Sequence, residues 1–163
     1  MLTPQQLFAR LDGLGLAHKT VEHAPVYTVE EAKQHRGELP GHHIKNLFLR
    51  NKKEAMWLVV AIEDRAIDLK QLGERLGAGR LSFGSPERLR SHLGVEPGSV
   101  TPFAVINDTN QAVRLVLDAG LKAAGPINAH PLTNTMTTAI ALADLLRFFE
   151  TTGHTPQWLD FPL

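Results

Sequence analysis

The chain has 163 residues, of which 43% are hydrophobic and 21% charged, and these values predict one globular domain spanning residues 1–163. Lys plus Arg and Asp plus Glu both number 17, so any nucleic-acid contact must come from a local basic patch. There is no cysteine, which excludes a disulfide framework, a thiol nucleophile and a zinc–thiolate site. Since no leader-like segment or membrane-length apolar run is found, we expect a cytoplasmic protein without a membrane partner.

Five helices are predicted from polar capping residues and from apolar positions that repeat every three or four residues. The first begins at Thr3-Pro4, where a capping hydroxyl precedes a proline. The second begins at a capping box, Thr28-Val29-Glu30-Glu31, and closes near Gly37. The other three helices are predicted over residues 68–77, 85–94 and 142–149.

Strands are predicted where branched or alternating apolar residues lie between turn signals. They cover residues 19–22, 41–50, 55–62, 80–83, 103–106, 113–117 and 134–140. Residues 125–131 are predicted to be extended, and the tail, 155–163, is expected to pack on the surface. Hairpins outnumber helical crossovers in this order of elements. The sequence therefore predicts an α/β fold of the α+β type, with a mixed, mostly antiparallel sheet covered by helices.

The strand at residues 41–50 is the one around which the other elements are arranged. Its apolar residues lie on both faces of a period-two pattern, which is typical of a central strand. Lys45 shares a face with Leu47 and Leu49. Because burial disfavours a charged ammonium, we expect a fixed anionic or carbonyl partner. The alternative is an edge lysine whose stem packs while its head stays in water.

Two further segments are candidates for a site. The loop Gly98-Ser99-Val100-Thr101-Pro102 could present backbone N–H groups to a carbonyl or carboxyl oxygen, or it could be an ordinary turn. His130 lies in an apolar extended segment next to a proline, and it is either a ligand contact or a satisfied core histidine. The adjacent His42 and His43 point to opposite sides of an extended chain, and no His-Glu-x-x-His pattern occurs, so no metal site is predicted.

Taken together, these segments resemble the YbaK and prolyl-tRNA-synthetase-associated editing domain family. The matching stretches occur in the family's order over nearly the full chain: His23-Ala24-Pro25-Val26-Tyr27-Thr28, His43-Ile44-Lys45-Asn46-Leu47-Phe48-Leu49, Gly98-Ser99-Val100-Thr101-Pro102-Phe103 and Asn128-Ala129-His130-Pro131-Leu132. The third and fourth stretches are similar to the free-standing branch called ProXp-ala or PrdX.

The resemblance implies a trans-editing deacylase, an aminoacyl-tRNA hydrolase that removes alanine from mischarged tRNA(Pro) and needs no metal or other cofactor. It implies that Lys45 is the catalytic residue, and that one pocket binds the substrate through several segments. The expected substrate-binding residues are Thr28, Asn46, Gly98, Ser99, Val100, Thr101, Pro102 and His130. Contacts with the tRNA are expected from His43, Arg50, Lys52 and Lys53. Prolyl-tRNA synthetase or an elongation factor would be transient partners.

Three alternatives remain open at this point. The same fold could clear another small amino acid, serine or cysteine, from its tRNA. The chain could instead be a non-catalytic module that binds tRNA or another nucleic acid through the basic residues of its hairpin. A small-molecule hydrolase unrelated to tRNA is the third. The editing hypothesis makes a geometric prediction, namely that Lys45, the loop at 98–102 and His130 converge on one concave site.

Overall fold

A computed structural model describes residues 1–25, Thr28, Glu30 and 39–163. The strands in this part of the chain are β1 (His18–Glu22), β2 (His42–Arg50), β3 (Met56–Ile62), β4 (Ser82–Phe83), β5 (Val113–Asp118), β6 (Ile127–Ala129), β7 (Met136–Ile140) and β8 (Gln157–Leu159). The α-helices are α1 (Pro4–Gly13), α2 (Leu69–Leu76), α3 (Pro86–Leu93) and α4 (Leu142–Thr152). Three 3-10 segments span Pro97–Ser99, Pro102–Asn107 and Ala119–Lys122.

The strands join in the order β1-β7-β6-β2-β3-β5-β8, and β4 pairs with β2 outside this path. The pairs β1–β7, β6–β7, β2–β3 and β2–β4 are antiparallel. The pairs β2–β6, β3–β5 and β5–β8 are parallel. The predicted mixed, mostly antiparallel sheet with helices is therefore confirmed.

Two apolar layers cover the central strands, because successive residues of a strand point to opposite faces. The main core holds one face of β2, β3 and β5 against α1, α3, α4 and the 3-10 segment Pro102–Asn107. A smaller core lies on the other face, where Leu49, Trp57 and Val59 contact Leu72 of α2. Alternate residues of β2 therefore place their side chains in different layers.

The helix boundaries follow the local signals that predicted them. Thr3 forms a capping box with Gln6, and the Asp68 carboxylate accepts the first N–H groups of α2. Ser85 caps α3 in the same way. The helix α3 ends at Gly94, whose φ of 66° is the left-handed conformation that closes a helix.

One prediction about β-structure is wrong, and the prediction for the tail is incomplete. Residues 103–106 lie in a 3-10 helix, not in a strand, because Thr101 accepts a hydrogen bond from the Phe103 N–H and Pro102 fixes the first turn. The segment is buried on all sides, so its apolar pattern contained no period that could distinguish the two structures. The tail does not merely cover the surface, since β8 extends the sheet by pairing with β5.

Two further points complete the fold. The predicted strand at 80–83 is shorter than expected, because only Ser82–Phe83 pair with β2. The helix predicted from the capping box at Thr28 falls on residues outside the described ranges. Within those ranges, no helix is both long and apolar enough to cross a bilayer.

Candidate functional site

Lys45 lies in the first half of β2, where its half-buried side chain shares a face with Leu47 and Leu49. Its ammonium donates a hydrogen bond to the backbone carbonyl of Arg65, in the turn that follows β3. The expected carbonyl partner is therefore confirmed. Its identity was missed, because every residue carries a carbonyl and only the tertiary fold selects one of them.

The turn that carries this carbonyl is fixed by Asp118, at the end of β5. The Asp118 carboxylate is fully buried and accepts hydrogen bonds from Arg65 Nε at 3.0 Å and from the Ile62 backbone N–H at 3.0 Å. A third donor, the Gly120 N–H, lies at 2.8 Å. A buried carboxylate holds its donors firmly, since losing one would leave charge without solvation. The acceptor for Lys45 is thus rigid, and an ammonium with three donors retains capacity for a substrate.

His130 follows β6 and is mostly buried. Its Nδ1 lies 3.0 Å from the Met136 carbonyl, which only accepts, so Nδ1 carries the proton and Nε2 holds a lone pair in the neutral ring. Burial lowers the pKa of His130, and the nearby His23 lowers it further, while the Met136 hydrogen bond opposes the shift. The two rings lie 6.1 Å apart. His130 is therefore neutral at a pH where an exposed histidine would begin to charge.

The strand register places Lys45 and His130 on the same side of the sheet. His43 of β2 is paired with Asn128 of β6, and the two strands run parallel. Lys45 lies two residues after His43, and His130 lies two residues after Asn128. Both side chains are therefore on the same face as that pair, just beyond the last residues at which β2 and β6 are paired. The side chain of Ala129 packs in the main core, so His130 points away from that core, as Lys45 does.

The loop at 98–102 is rigid and partly buried. Ser99 N–H donates to the Glu96 carbonyl at 2.8 Å, and the Ala104 N–H donates to the Thr101 carbonyl at 3.1 Å. Thr101 has no exposed surface. Because the Ser99 donor is engaged and Thr101 is fully buried, the loop N–H groups that could face a ligand are those of Gly98 and Val100. Pro102, whose ring is buried, has no N–H to offer.

Asn46 follows Lys45 and points to the other face. It is paired with Val60, a residue of the main core, and Val100 of the loop packs against the same core. Its side-chain Oδ1 is fully buried and has no hydrogen-bond partner among the described residues. Leaving a buried acceptor unpaired costs about 1–3 kcal/mol, so this oxygen is a candidate for a ligand contact.

The predicted site residues thus divide into two sets. Lys45 and His130 lie on the face away from the main core, whereas Asn46 and Val100 lie on the side of that core. The convergence of the loop with Lys45 and His130 stays a prediction. Thr28 is exposed, in a stretch where the neighbouring residues lie outside the described ranges.

The residues expected to contact tRNA differ in how exposed they are. The imidazole of His43 is half-buried, and its Nε2 lies 2.9 Å from the Leu39 carbonyl. Arg50 lies 3.6 Å from the carboxylate of Glu54. Lys52 and Lys53 are exposed in the β2–β3 turn. Of these four expected contacts, Lys52 and Lys53 are the most exposed.

Sequence reasoning did not select His23, Arg65 or Asp118 as site residues. His23 belongs to a matching family stretch, which was the available signal, whereas Arg65 and Asp118 stand in no motif. In the described part of the chain, no three His, Asp or Glu side chains gather as a metal site would need.

The chain is similar to proteins of one family. The family model for the aminoacyl-tRNA editing domain matches residues 23–148. Prolyl-tRNA synthetase associated domain-containing protein 1 of Danio rerio is 43% identical over 153 residues, covering 93% of this chain and 83% of that protein. The prolyl-tRNA editing protein ProX of Acetoanaerobium sticklandii is 38% identical over 152 residues, covering 93% of each. A solved structure of a candidate trans-editing enzyme for prolyl tRNA synthetase has the same fold, with a TM-score of 0.72, 24% identity and 98% coverage of each chain.

Proposed function

Because the chain belongs to the aminoacyl-tRNA editing domain family, we propose that it is a trans-acting deacylase that hydrolyses the ester of alanine mischarged on tRNA(Pro). The observation that carries this proposal is the position of Lys45, whose ammonium is held by one rigid carbonyl on the face that His130 shares. The choice of tRNA(Pro) is supported by the names of the relatives, which refer to prolyl-tRNA.

The reaction adds water to the ester carbonyl carbon and releases the ribose oxygen. The carbonyl oxygen gains negative charge in the transition state, and donors that are already in place stabilise that charge without reorganisation. Lys45 supplies an ammonium for this purpose, and the N–H groups of the loop at 98–102 supply further donors. The free ribose hydroxyl next to the ester helps to activate the water. The water oxygen joins the acyl carbon, a proton ends on the departing ribose oxygen, and alanine leaves.

Size selects the amino acid. A synthetase pocket that accepts proline cannot strongly reject a smaller apolar side chain, because missing methylene groups change binding by only about 1–3 kcal/mol. A second, smaller pocket can accept alanine and exclude proline. We assign one wall of this pocket to His130, on the Lys45 face, and another to Asn46, on the opposite side of β2, so that the pocket lies at the edge of β2 between them and the loop at 98–102 closes it.

The neutral form of His130 suits this role. A protonated imidazole in the pocket would repel the α-ammonium of the aminoacyl group, whereas the bare Nε2 of the neutral ring accepts a hydrogen bond from it. Burial, which lowers the pKa of His130, therefore supports binding of a cationic amino-acid ester at neutral pH.

Editing in trans acts on tRNA that has already left the synthetase. Prolyl-tRNA synthetase and an elongation factor are therefore the proposed transient partners, and the cytoplasm is the proposed location. In this proposal the exposed Lys52 and Lys53 contribute phosphate contacts, which depend on salt concentration.

The test is a deacylation panel with purified protein and tRNA(Pro) charged separately with alanine, serine, cysteine or proline. Alanine should be released fastest and proline should be retained. Preferred release of serine or cysteine would assign another substrate to the same site. Release of none, with tRNA still bound, would instead identify a non-catalytic binding module, and hydrolysis of simple esters alone would identify an unrelated hydrolase.

A further inference from the structure

Phe83 is an exposed aromatic residue at the edge of the sheet. In the described part of the chain, the large hydrophobic side chains that stand exposed are Phe83, at 62%, and the terminal Met1. A lone exposed apolar side chain is common on protein surfaces, so its surroundings decide whether it has a role. For Phe83 these surroundings are the edge of β2 and a set of basic residues.

Phe83 lies on the face of the sheet that carries Lys45. It is paired with Leu49 of β2, and directly paired residues point to the same face. Leu49, Leu47 and Lys45 alternate along that face. Four residues at about 3.3 Å each, with one step of about 4.8 Å between strands, place the Phe83 backbone about 14 Å from that of Lys45.

The edge of β2 between these two positions is open among the described strands. On the side away from β3, β6 pairs with β2 at His42 and His43, and β4 pairs with it at Leu49 and Arg50. Residues 44–47 therefore have a described strand on one side only, which is β3. The result is a track along β2 that begins beside His130 at the end of β6 and ends at Phe83.

The end of this track near Phe83 is mainly basic. The cationic side chains at the end of β2, in the β2–β3 turn, before β4 and in α3 are Arg50, Lys52, Lys53, Arg80, Arg88 and Arg90. The carboxylates in the same segments are those of Glu54 and Glu87, and Glu54 is paired with both Arg50 and Arg88. Arg90 is paired with Glu96, whereas Lys52, Lys53 and Arg80 form no ion pair within the described residues. An exposed aromatic ring near unpaired cations is the combination that binds single-stranded nucleic acid, since bases stack on the ring and phosphates meet the cations.

We propose that Phe83 is a stacking platform for an unpaired base in the 3′ single strand of the tRNA, upstream of the aminoacylated nucleotide. This inference rests on the proposed function, which places the terminal nucleotide at Lys45. At about 3.4 Å per stacked nucleotide, about 14 Å spans about four nucleotides, and fewer if the strand is extended. The distance therefore fits the unpaired 3′ end of a tRNA.

The test measures binding of uncharged tRNA(Pro) by fluorescence anisotropy at one fixed salt concentration. Two transcripts are compared, one intact and one without its unpaired 3′ nucleotides. Phe83→Ala and Phe83→Leu should each weaken binding of the intact transcript about tenfold, because both remove the ring, whereas Phe83→Trp should stay within about twofold. Wild type and Phe83→Ala should bind the shortened transcript equally.

The inference would be overturned by unchanged binding of the intact transcript by Phe83→Ala, or by the same loss of binding with both transcripts. A Phe83→Leu protein that binds like wild type would also overturn it, since apolar surface alone would then suffice. This test measures binding and is therefore independent of the deacylation panel. If the protein deacylates no tRNA, the proposed function is refuted, but the difference in binding between wild type and Phe83→Ala can still be observed.

Discussion

Two groups of buried polar side chains lie at opposite ends of β5, and they differ in how completely their hydrogen bonds are formed. At the start of the strand, the Asp108 carboxylate accepts from the N–H groups of Ala112 and Val113, at 3.1 and 2.8 Å. It also lies 2.9 Å from Nε2 of His154, whose Nδ1 is 2.9 Å from the Thr152 hydroxyl. Each of these groups has a protein partner, which is typical of a structural network.

The group at the other end of β5 is built differently. The Asp118 carboxylate also has its hydrogen bonds formed, and it fixes Arg65, whose carbonyl accepts from Lys45. The Lys45 ammonium, however, has one acceptor among the described residues. Close by on β2, Asn46 Oδ1 has no partner in that part of the chain. The comparison teaches that burial alone does not mark a site. At the candidate site, unlike around Asp108, the protein leaves bonding capacity unused.

The largest effect is expected at the saturated network. Asp108→Ala removes the acceptor of two backbone N–H groups and the partner of His154, so the free energy of unfolding should fall by about 3–5 kcal/mol. The deacylation rate per folded molecule should stay at the wild-type value. Urea denaturation and a deacylation assay at low temperature measure the two quantities. Glu150→Ala, an exposed control, should change stability by less than about 0.5 kcal/mol. A loss of activity without a loss of stability would reverse the assignment of this network.

Lys45→Ala should have the opposite signature. The saturated rate should fall about a hundred- to a thousandfold, as when one transition-state donor is lost, while the melting temperature changes little. Lys53→Ala is the matched control, an exposed lysine whose removal should change the salt dependence of KM and not kcat. If high substrate concentration restores the rate of Lys45→Ala, then Lys45 only anchors the tRNA.

Asn46→Leu separates function from stability most directly. Replacing an unpaired buried amide by an apolar side chain of similar size should raise the free energy of unfolding by about 1 kcal/mol. The same change should lower kcat/KM for alanyl-tRNA(Pro), because the pocket loses an acceptor. Chemical denaturation and initial-rate kinetics test both expectations. A variant that is less stable yet fully active would assign Asn46 to the architecture and not to the site.

The smallest effect concerns pH. Burial lowers the pKa of His130, so the unfolded state binds a proton near pH 6.5 while the folded state still excludes it. The contribution of His130 to stability is therefore fully present above about pH 6.5 and is lost as the pH falls through the folded pKa. When the pH is lowered from about 7.5 to about 5, the melting temperature should fall more for wild type than for His130→Gln. Parallel curves for the two proteins would contradict this account.

The sequence predicted the parts of this molecule that depend on near neighbours. Thr3, Asp68 and Ser85 satisfy donors two or three residues away, so their side chains indicated where α1, α2 and α3 begin. The alternation in β2 predicted which face Lys45 shares, and the family stretches predicted the editing domain that the comparisons report.

The tertiary structure decided what depends on distant parts of the chain. The pairing of β8 with β5 and the choice of the Arg65 carbonyl for Lys45 have no local signature. That Asn46 Oδ1 has no partner among the described residues could not be predicted from its neighbours in sequence either. Whether a buried amide finds a partner depends on every element packed around it. Local hydrogen bonds leave their pattern in the sequence because donor and acceptor lie within one turn. Contacts between remote segments leave none, because many arrangements satisfy the same apolar pattern and packing selects one.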